Sequence, residues 1–503
     1  AIRDGKFALI TGTLILDPDN VKASYVKAKI PLTAFNTGIA KLDEHLMGPD
    51  FFDVKKFPYA TFESFRVEPV GKNEGKLYGF LDLHGIKHRD VEDLVDSFIG
   101  RYFHVLPIEI ITGNSADMQK MVKKIVKSYK LKMEATVNRD VFLKSLGHAY
   151  GIIEKKTTLP ILSNVLIEAK DSKVKITATD LDLTYSEAMP LQELKVEGST
   201  TTSASILYDI LRKLESNAKV DLSLQSANKL KLVSGNSKFN LLCIPSDNFP
   251  ISEENFDQKD FEVSAQGLLK LLSKAKISIS SDETRHYLNG IYFHKTNLQN
   301  KYFLTGVATD SHRLSSSSLE IDKNIIFEPI ILPKKTIFQL ISLLEQSNSS
   351  VKISNNKSKI KFEMDIGVLI SKVIEGRFPD YNKVIPKNND KILEIKLNEF
   401  KNSIERVTSV SLDRKEGLKM HISKEAVQLS VNSPNSGEGI ENINAKFNSN
   451  DLSISFNSRY LIDIISQIEN ELIVINLKDS GSPVLIKDFS DKNSFHVVMP
   501  MKI

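Results

Sequence analysis

Few residues in this chain have the type and spacing to do chemistry. Two Ala-Thr-Asp triplets, ending at Asp180 and Asp310, offer carboxylates of the kind that hold a hard cation. Such an ion takes six or more oxygens. The two aspartates stand about 130 residues apart at matching places of a repeat, and neither is accompanied by the ligand set required. They read as repeat-equivalent turn residues. His312 beside Arg313 has no nucleophile partner in sequence and reads as the wall of a pocket. The single cysteine, Cys243, excludes a disulfide framework and a cysteine-rich zinc site, suits a reducing cytosol, and reads as a small core residue. What remains is binding chemistry: bases on successive helical segments, among them Arg139, Lys144, Lys155, Lys156, Arg212, Lys213, Lys270, Lys274, Lys334, Lys335, Lys401, Arg406 and Arg459. Recurring on one class of helix, they suit a sequence-independent path along phosphates.

Those bases are carried by elements that repeat. VNRDVFLKSL (137–146), VSAQGLLKLL (263–272) and IKLNEFKNSI (395–404) each set a short extended lead-in before a helical apolar pattern. Phe142, Leu143, Leu146 and Tyr150 share one helical face, as do Phe400, Ile404 and Val407. A second helix recurs at the same interval in SASILYDILRKL (203–214), LPKKTIFQLISLL (332–344) and NSRYLIDIISQI (457–468). Between them, residues alternate with period two: Val174, Ile176 and Ala178; Leu230 and Leu232; Val351 and Ile353; Ile360 and Phe362. Gly235-Asn236 and Asn355-Asn356 sit where hairpin turns are needed. The predicted unit is α+β, two helices packed on antiparallel sheets, repeated three times.

With 503 residues, 41% of them hydrophobic, the chain is long enough for several cores. A formal charge of +4 argues against a protein that grips nucleic acid by neutralising many phosphates on one face, so any DNA contact is expected to be local or loose. No run of about 18 apolar residues is present to span a bilayer. The opening residues lack the order of a secretory signal, and a cytoplasmic protein is expected.

Six segments then become specific: TTLPILSN (157–164), ATDLDL (178–183), YLNGIYF (287–293), VATDSHRLS (307–315), GRFPDYNKVIPKN (376–388) and VVMPMKI (497–503). Together, and in this order, they resemble the bacterial β sliding clamp (DNA polymerase III beta subunit) family over 133–503. The resemblance implies three clamp domains, 133–254, 255–386 and 387–503, in a head-to-tail homodimer whose ring encircles double-stranded DNA. It implies no catalysis, cofactor or metal. The implied partners are the DNA polymerase III catalytic subunit, the clamp loader and other proteins with a clamp-binding motif. These would dock a short apolar peptide in a cleft formed by Leu288, Thr309, His312, Arg313, Leu314, Pro379, Lys383, Val384, Val497, Met499, Pro500 and Met501. Methionine and proline suit such a groove, because one adapts its shape and the other is already ordered. For DNA the family pattern points to Lys156, Arg212, Arg285, His286 and Tyr287. Ser311 stands where the family usually has glycine, Lys383 and Lys502 where arginine is common, and Pro483 where serine often lies. Lysine loses arginine's bidentate reach, which bears on partner preference.

The first 132 residues do not repeat this unit. HLMGPDFFDVKKFPYATFESFRVEPVG (45–71) resembles the YceI-like family of lipid-binding barrels, within a segment spanning residues 1–79. Part of the barrel wall is missing, and open edges favour a strand set, with a YceI-like lipid-binding protein as one alternative reading. Residues 80–132 follow a β-α-β-α pattern, and DLHG (82–85) with ITG (111–113) resembles the Smr family of nucleic-acid nicking domains. Asp82 and His84 would be its active pair, giving the alternative reading of a nicking enzyme tethered by a clamp. Its second motif reads TGNS instead of a glycine-rich run, which weakens backbone approach to phosphate. Two incomplete patterns ahead of a nearly complete clamp predict a composite chain with junctions near Gly79 and Met133.

Overall fold

The computed structural model describes residues 133–502, apart from 155–157, 227–228, 251–255, 257–259 and 412–416, together with strands and short stretches between residues 6 and 111. In the front segment β1 (Lys6–Phe7) pairs with β4 (Phe35–Asn36). A five-stranded sheet runs in the order β2 (Thr11–Ile15), β3 (Tyr25–Pro31), β5 (Tyr59–Pro69), β6 (Gly75–Asp82) and β7 (Glu109–Ile111). All its pairings are antiparallel except β6 with β7, which is parallel and joins strands from both front segments in one sheet. The helices expected over 91–103 and 118–132 lie outside the described residues.

The first unit comprises β8 (Glu134–Asn138), α1 (Arg139–Tyr150), β9 (Asn164–Lys170), β10 (Lys173–Thr179), β11 (Leu183–Pro190), β12 (Glu193–Val196), β13 (Gly198–Ser203), α2 (Ala204–Lys213), β14 (Lys219–Ser226), β15 (Lys229–Ser234) and β16 (Ser237–Ile244). The second comprises β17 (Phe261–Ser264), α3 (Ala265–Lys276), β18 (Gly290–Leu298), β19 (Lys301–Thr309), β20 (Arg313–Ile321), β21 (Ile330–Pro333), α4 (Lys334–Leu344), β22 (Ser350–Asn355), β23 (Lys359–Met364) and β24 (Gly367–Lys372). The third comprises β25 (Lys391–Lys396), α5 (Leu397–Val407), β26 (Gly417–Ile422), β27 (Ala426–Ser433), β28 (Gly437–Phe447), β29 (Leu452–Asn457), α6 (Ser458–Ile465), β30 (Leu472–Leu477), β31 (Val484–Asp488) and β32 (Asp491–Val498). Each unit is two helices on antiparallel sheet, as the repeat predicts.

A strand runs straight into each helix, and the last strand residue often caps it. Asn138 accepts from the Asp140 and Val141 amides at 2.9 and 3.3 Å, Ser264 from Gly267 at 3.1 Å, and Asn457 from Arg459 at 3.0 Å. Each satisfies an amide that the first helical turn leaves without a partner. The faces read from periodicity are the buried ones, with Phe142, Leu146, Phe400 and Ile404 fully buried and each side chain contributing about 1.5–3 kcal/mol. In the first unit, Tyr150 of α1 stacks on Tyr208 of α2 with ring centroids 5.1 Å apart. At Gly306, any Cβ would fall 2.6 Å from Leu271, so glycine lets α3 lie close on the sheet.

Units join edge to edge. β11 of the first pairs antiparallel with β24 of the second, from Leu183↔Ser371 to Ser186↔Val368. Likewise β20 of the second pairs with β32 of the third, from Arg313↔Val498 to Ser317↔Ser494. The result is one 13-stranded and one 12-stranded sheet. By position in the repeat, β28 corresponds to β11 and β20, while β16 corresponds to β24 and β32. On the side used for joining elsewhere, β16 meets β13 only through Cys243 and Ile244, and among the described residues the 437–443 part of β28 pairs only with β27. Leu242 is 81% exposed on one of these edges and Ile440 55% on the other.

Several of the nominated helical bases do not form the expected basic face. Lys274 is buried between Asp491 at 2.8 Å and Asp488 at 3.5 Å, because α3 packs against the last hairpin of the third unit. Arg139 folds back on its own unit, donating to the Leu211 and Arg212 carbonyls at 2.6 and 2.8 Å at the end of α2. Lys335 pairs with Asp180 across the first boundary, Lys270 with Glu469 across the second, and Arg406 with Glu441 within the third unit. Among the described residues, no helix is long and apolar enough to cross a membrane.

Candidate peptide-binding cleft and DNA-facing surface

The Ala-Thr-Asp triplets form the same turn twice. Asp180 accepts from the Asp182 and Leu183 amides at 2.9 and 2.6 Å, and Asp310 from the His312 and Arg313 amides, both at 2.9 Å. Thr179 and Thr309 donate to the Leu183 and Arg313 carbonyls. The carboxylates are therefore occupied in holding backbone. Each turn needs one residue in the left-handed region, Leu181 at φ +79° and Ser311 at φ +78°. This costs an L-residue about 1–2 kcal/mol that glycine avoids. The Ser311 hydroxyl in turn accepts from Arg285 Nη1 at 2.6 Å.

Strand β18 faces two ways, with Ile291 and Phe293 in the main core beneath the helices. On the opposite face a separate small core joins Leu288, Val307, Leu314, Ile331, Phe378, Leu485 and Val497, with Tyr287, Tyr292, Ile374, Tyr381 and Phe495 packed against it. Three expected cleft residues, Leu288, Leu314 and Val497, are buried there, and Leu314 pairs directly with Val497 across the boundary. Around them Pro379, Lys383, Val384, His312, Met499 and Met501 are exposed, and Thr309 and Pro500 are half-buried. Val384 is 51% and Met499 42% exposed, which leaves apolar surface open beside a formed core. The last residues are held in place, since the Met499 amide donates to the His312 carbonyl at 2.8 Å and that of Met501 to the Ser455 carbonyl at 2.7 Å.

Arg313, expected in the cleft, also makes contacts across the boundary between units. Its guanidinium donates to Asp310 at 3.1 Å and to Asp463 at 2.6 Å, and lies 4.3 Å from the centre of the Tyr460 ring. It fastens the second unit to α6 of the third. Sequence reading also missed Tyr292, Val307, Phe378 and Leu485. Phe378 lies inside GRFPDYNKVIPKN, and its aromatic type between Arg377 and Pro379 was the one available signal.

The residues expected to meet DNA fall in separate places. Arg212 is exposed in the last turn of α2, 3.5 Å from Asp209. Arg285, His286 and Tyr287 lie on the 3-10 turn leading into β18, beside Leu288 and the cleft, with Arg285 tied to Asp282 at 2.8 Å. Lys156 and His84 lie outside the described residues, and of Asp82 only its place at the end of β6 is described.

Models of the DNA polymerase III beta subunit match in order: its N-terminal domain over residues 133–253, its central domain over 262–380 and its C-terminal domain over 382–502. A beta sliding clamp of Caulobacter vibrioides is 34% identical over 373 residues, covering 74% of this chain and 100% of the relative. That of Escherichia coli K12 is 29% identical over 371 residues, with the same coverage of both chains. Among solved structures, the DNA polymerase sliding clamp of Caulobacter crescentus superposes with a TM-score of 0.70 at 34% identity, covering 74% of this chain and 100% of that one. A Bartonella birtlesii sliding clamp bound to griselimycin superposes with a TM-score of 0.72 at 38% identity and the same coverage. These matches give no support to a nicking enzyme or a lipid carrier. Three domain models in register, and relatives matched from end to end, mean that this chain belongs through residues 133–502 to the bacterial β sliding clamp family, the non-catalytic DNA polymerase III beta subunits of DNA replication.

Proposed function

We propose that two copies of this chain close head to tail into a ring around double-stranded DNA in the cytoplasm. The ring tethers the DNA polymerase III catalytic subunit, the clamp loader and other proteins carrying a clamp-binding motif. The observation that carries the ring is the pair of incompletely paired strand edges. β28 and β16 hold the repeat positions that join β11 to β24 and β20 to β32, so the same pairing made between copies satisfies both ends. The domain limits of this reading are 133–254, 255–386 and 387–503. The peptide of a partner lies over Leu288, Leu314 and Val497, between Val384 and Pro379 on one side and Met499 to Met501 on the other. Thr309, His312, Arg313 and Lys383 complete the rim. DNA passes Arg212 and Lys156 on the helical side and touches Arg285, His286 and Tyr287. Residues 1–132, with their YceI-like and Smr-like patterns, are a front segment of composite origin joined to the clamp near Met133.

Light scattering of the full chain tests this reading. A mass near twice 56.5 kDa is expected, falling to one chain in Leu242→Asp or Ile440→Asp. The dimer, once loaded, should stay on nicked circular plasmid and run off when the plasmid is cut. A monomeric wild type, or equal retention on linear DNA, would defeat the ring.

A further inference from the structure

Beside the cleft, the outer face of β18 carries two ring side chains that the clamp reading leaves without a task. Tyr292 and His294 stack on each other with centroids 4.5 Å apart and planes at 17°. Phe378 stacks on Tyr292 at 5.0 Å and 7°, and Tyr381 meets His294 edge-on at 5.6 Å. His294 Nε2 and the Tyr381 hydroxyl are hydrogen-bonded at 2.9 Å. Phe378 and Tyr381 bracket Pro379, and the Tyr381 carbonyl accepts from the Val384 amide at 3.1 Å. The flanking supports are farther along the chain: the Ile374 amide donates to the Ile331 carbonyl at 2.9 Å, and Asn389 donates to the Asn476 carbonyl at 2.8 Å.

We infer that His294 is a positioning residue of the cleft, whose hydrogen bond to Tyr381 fixes the 378–384 segment and so sets where Val384 stands. The inference rests on the proposed peptide cleft. Stacking alone lets an aromatic ring slide or turn in its plane at little cost, whereas a directed bond from Nε2 selects one orientation. Burial pushes the imidazole pKa down to about 4, so the ring is neutral near pH 7 and the contact is an ordinary hydrogen bond. An affinity set by this bond is expected to be flat between pH 6 and 8.

The test measures binding of a fluorescein-labelled pentapeptide of leucine and phenylalanine to the full chain by anisotropy, with melting temperatures alongside. His294→Phe keeps the stack and loses the bond, and should weaken binding about fivefold, the effect of one ordinary hydrogen bond. Tyr381→Phe should do the same, and the double variant should be no worse than either. His294→Gln, which can still reach Tyr381, should restore most of the affinity. If His294→Phe binds like the wild type while Val384→Asp does not bind, the positioning role is overturned and the cleft stands. If affinity in all His294 variants follows the melting temperature, Gln included, the residue is mere packing and the inference falls. A wild type that ignores the peptide removes the cleft and this inference together.

Discussion

The ammonium of Lys274 in α3 lies 2.8 Å from the carboxylate of Asp491 at the start of β32, closing a buried contact between the second and third units. Asp488 stands 3.5 Å from the same nitrogen, and Ser494 accepts from it at 3.4 Å. Burial alone would push the Asp491 carboxyl up, but the bond and charge of Lys274 hold it below the usual range. For Asp488, burial is likewise outweighed by amide and hydroxyl donors from Glu469 and Ser490, with Lys274 adding to them. Lys274→Met takes the buried ammonium from both carboxylates, leaving Asp491 the Asn493 amide at 3.0 Å and the more exposed Lys270 at 3.5 Å, and breaking a buried pair from one side costs about 3–5 kcal/mol. The sign of the pH dependence follows. In the wild type, stability from these carboxylates is present above the unfolded aspartate value and is lost as pH falls through the lowered folded values. In Lys274→Met the two carboxylates gain by taking up protons, so the deficit should shrink on acidification. Melting both proteins at pH 7 and pH 4.5 checks this; a deficit independent of pH would mean the lysine acts through packing.

At the first boundary the titrating group is a histidine. His148 Nδ1 lies 2.9 Å from Glu187 Oε2 and its Nε2 lies 3.0 Å from Gln346 Oε1 of the second unit, while Tyr185 donates to the same Glu187 oxygen at 2.9 Å. Burial pushes the imidazole pKa down, but the bonds from Glu187 and Gln346 prevail and raise it. A raised histidine stabilises fully below its unfolded value and loses that contribution as pH climbs through the folded one. The melting temperature is therefore expected to fall from pH 6.5 to 8.5 by more in the wild type than in His148→Gln. Parallel curves would show that His148 stays neutral in the fold.

Arg313 joins Asp310, Asp463 and the Tyr460 ring at once, a geometry that needs a flat guanidinium. Arg313→Lys keeps the charge and loses the fork, and should destabilise by about 1–2 kcal/mol in urea unfolding. Because His312 and Leu314 flank it in the cleft, peptide affinity should fall with it. Loss of affinity at unchanged stability would instead place Arg313 in direct contact with the peptide.

What could be read in the sequence was what depends on short-range pattern. The helix faces of Phe142 and Phe400 follow from spacing, and the turns at Asp180 and Asp310 were legible because each occurs twice in the same setting. The small core beneath the cleft was not legible in this way. Tyr292, Val307 and Ile331 occupy the alternate face of their strands, and the return of the 374–381 segment and of the β31–β32 hairpin covers them. Lys274 among the helical bases was misplaced for a related reason. Lys274 has the spacing of a solvated lysine, and the carboxylates that enclose it lie more than 200 residues later.

Arg212 is the base of α2 on the proposed DNA path, with 61% of its side chain exposed and Asp209 3.5 Å away. So open an ion pair contributes little to folding, and its loss should leave melting unchanged. Phosphate contacts respond differently, because each cation at the backbone releases condensed counterions and adds about 0.9 to the slope of log affinity against log salt. Arg212→Ala should lower that slope by about 0.9 per copy and weaken binding equally on unrelated duplexes. Anisotropy titrations of two duplexes of different sequence, across a range of potassium chloride, read both effects. An unchanged slope would remove α2 from the DNA path, and a loss confined to one sequence would mean that Arg212 reads bases, which a ring that slides along any duplex cannot use.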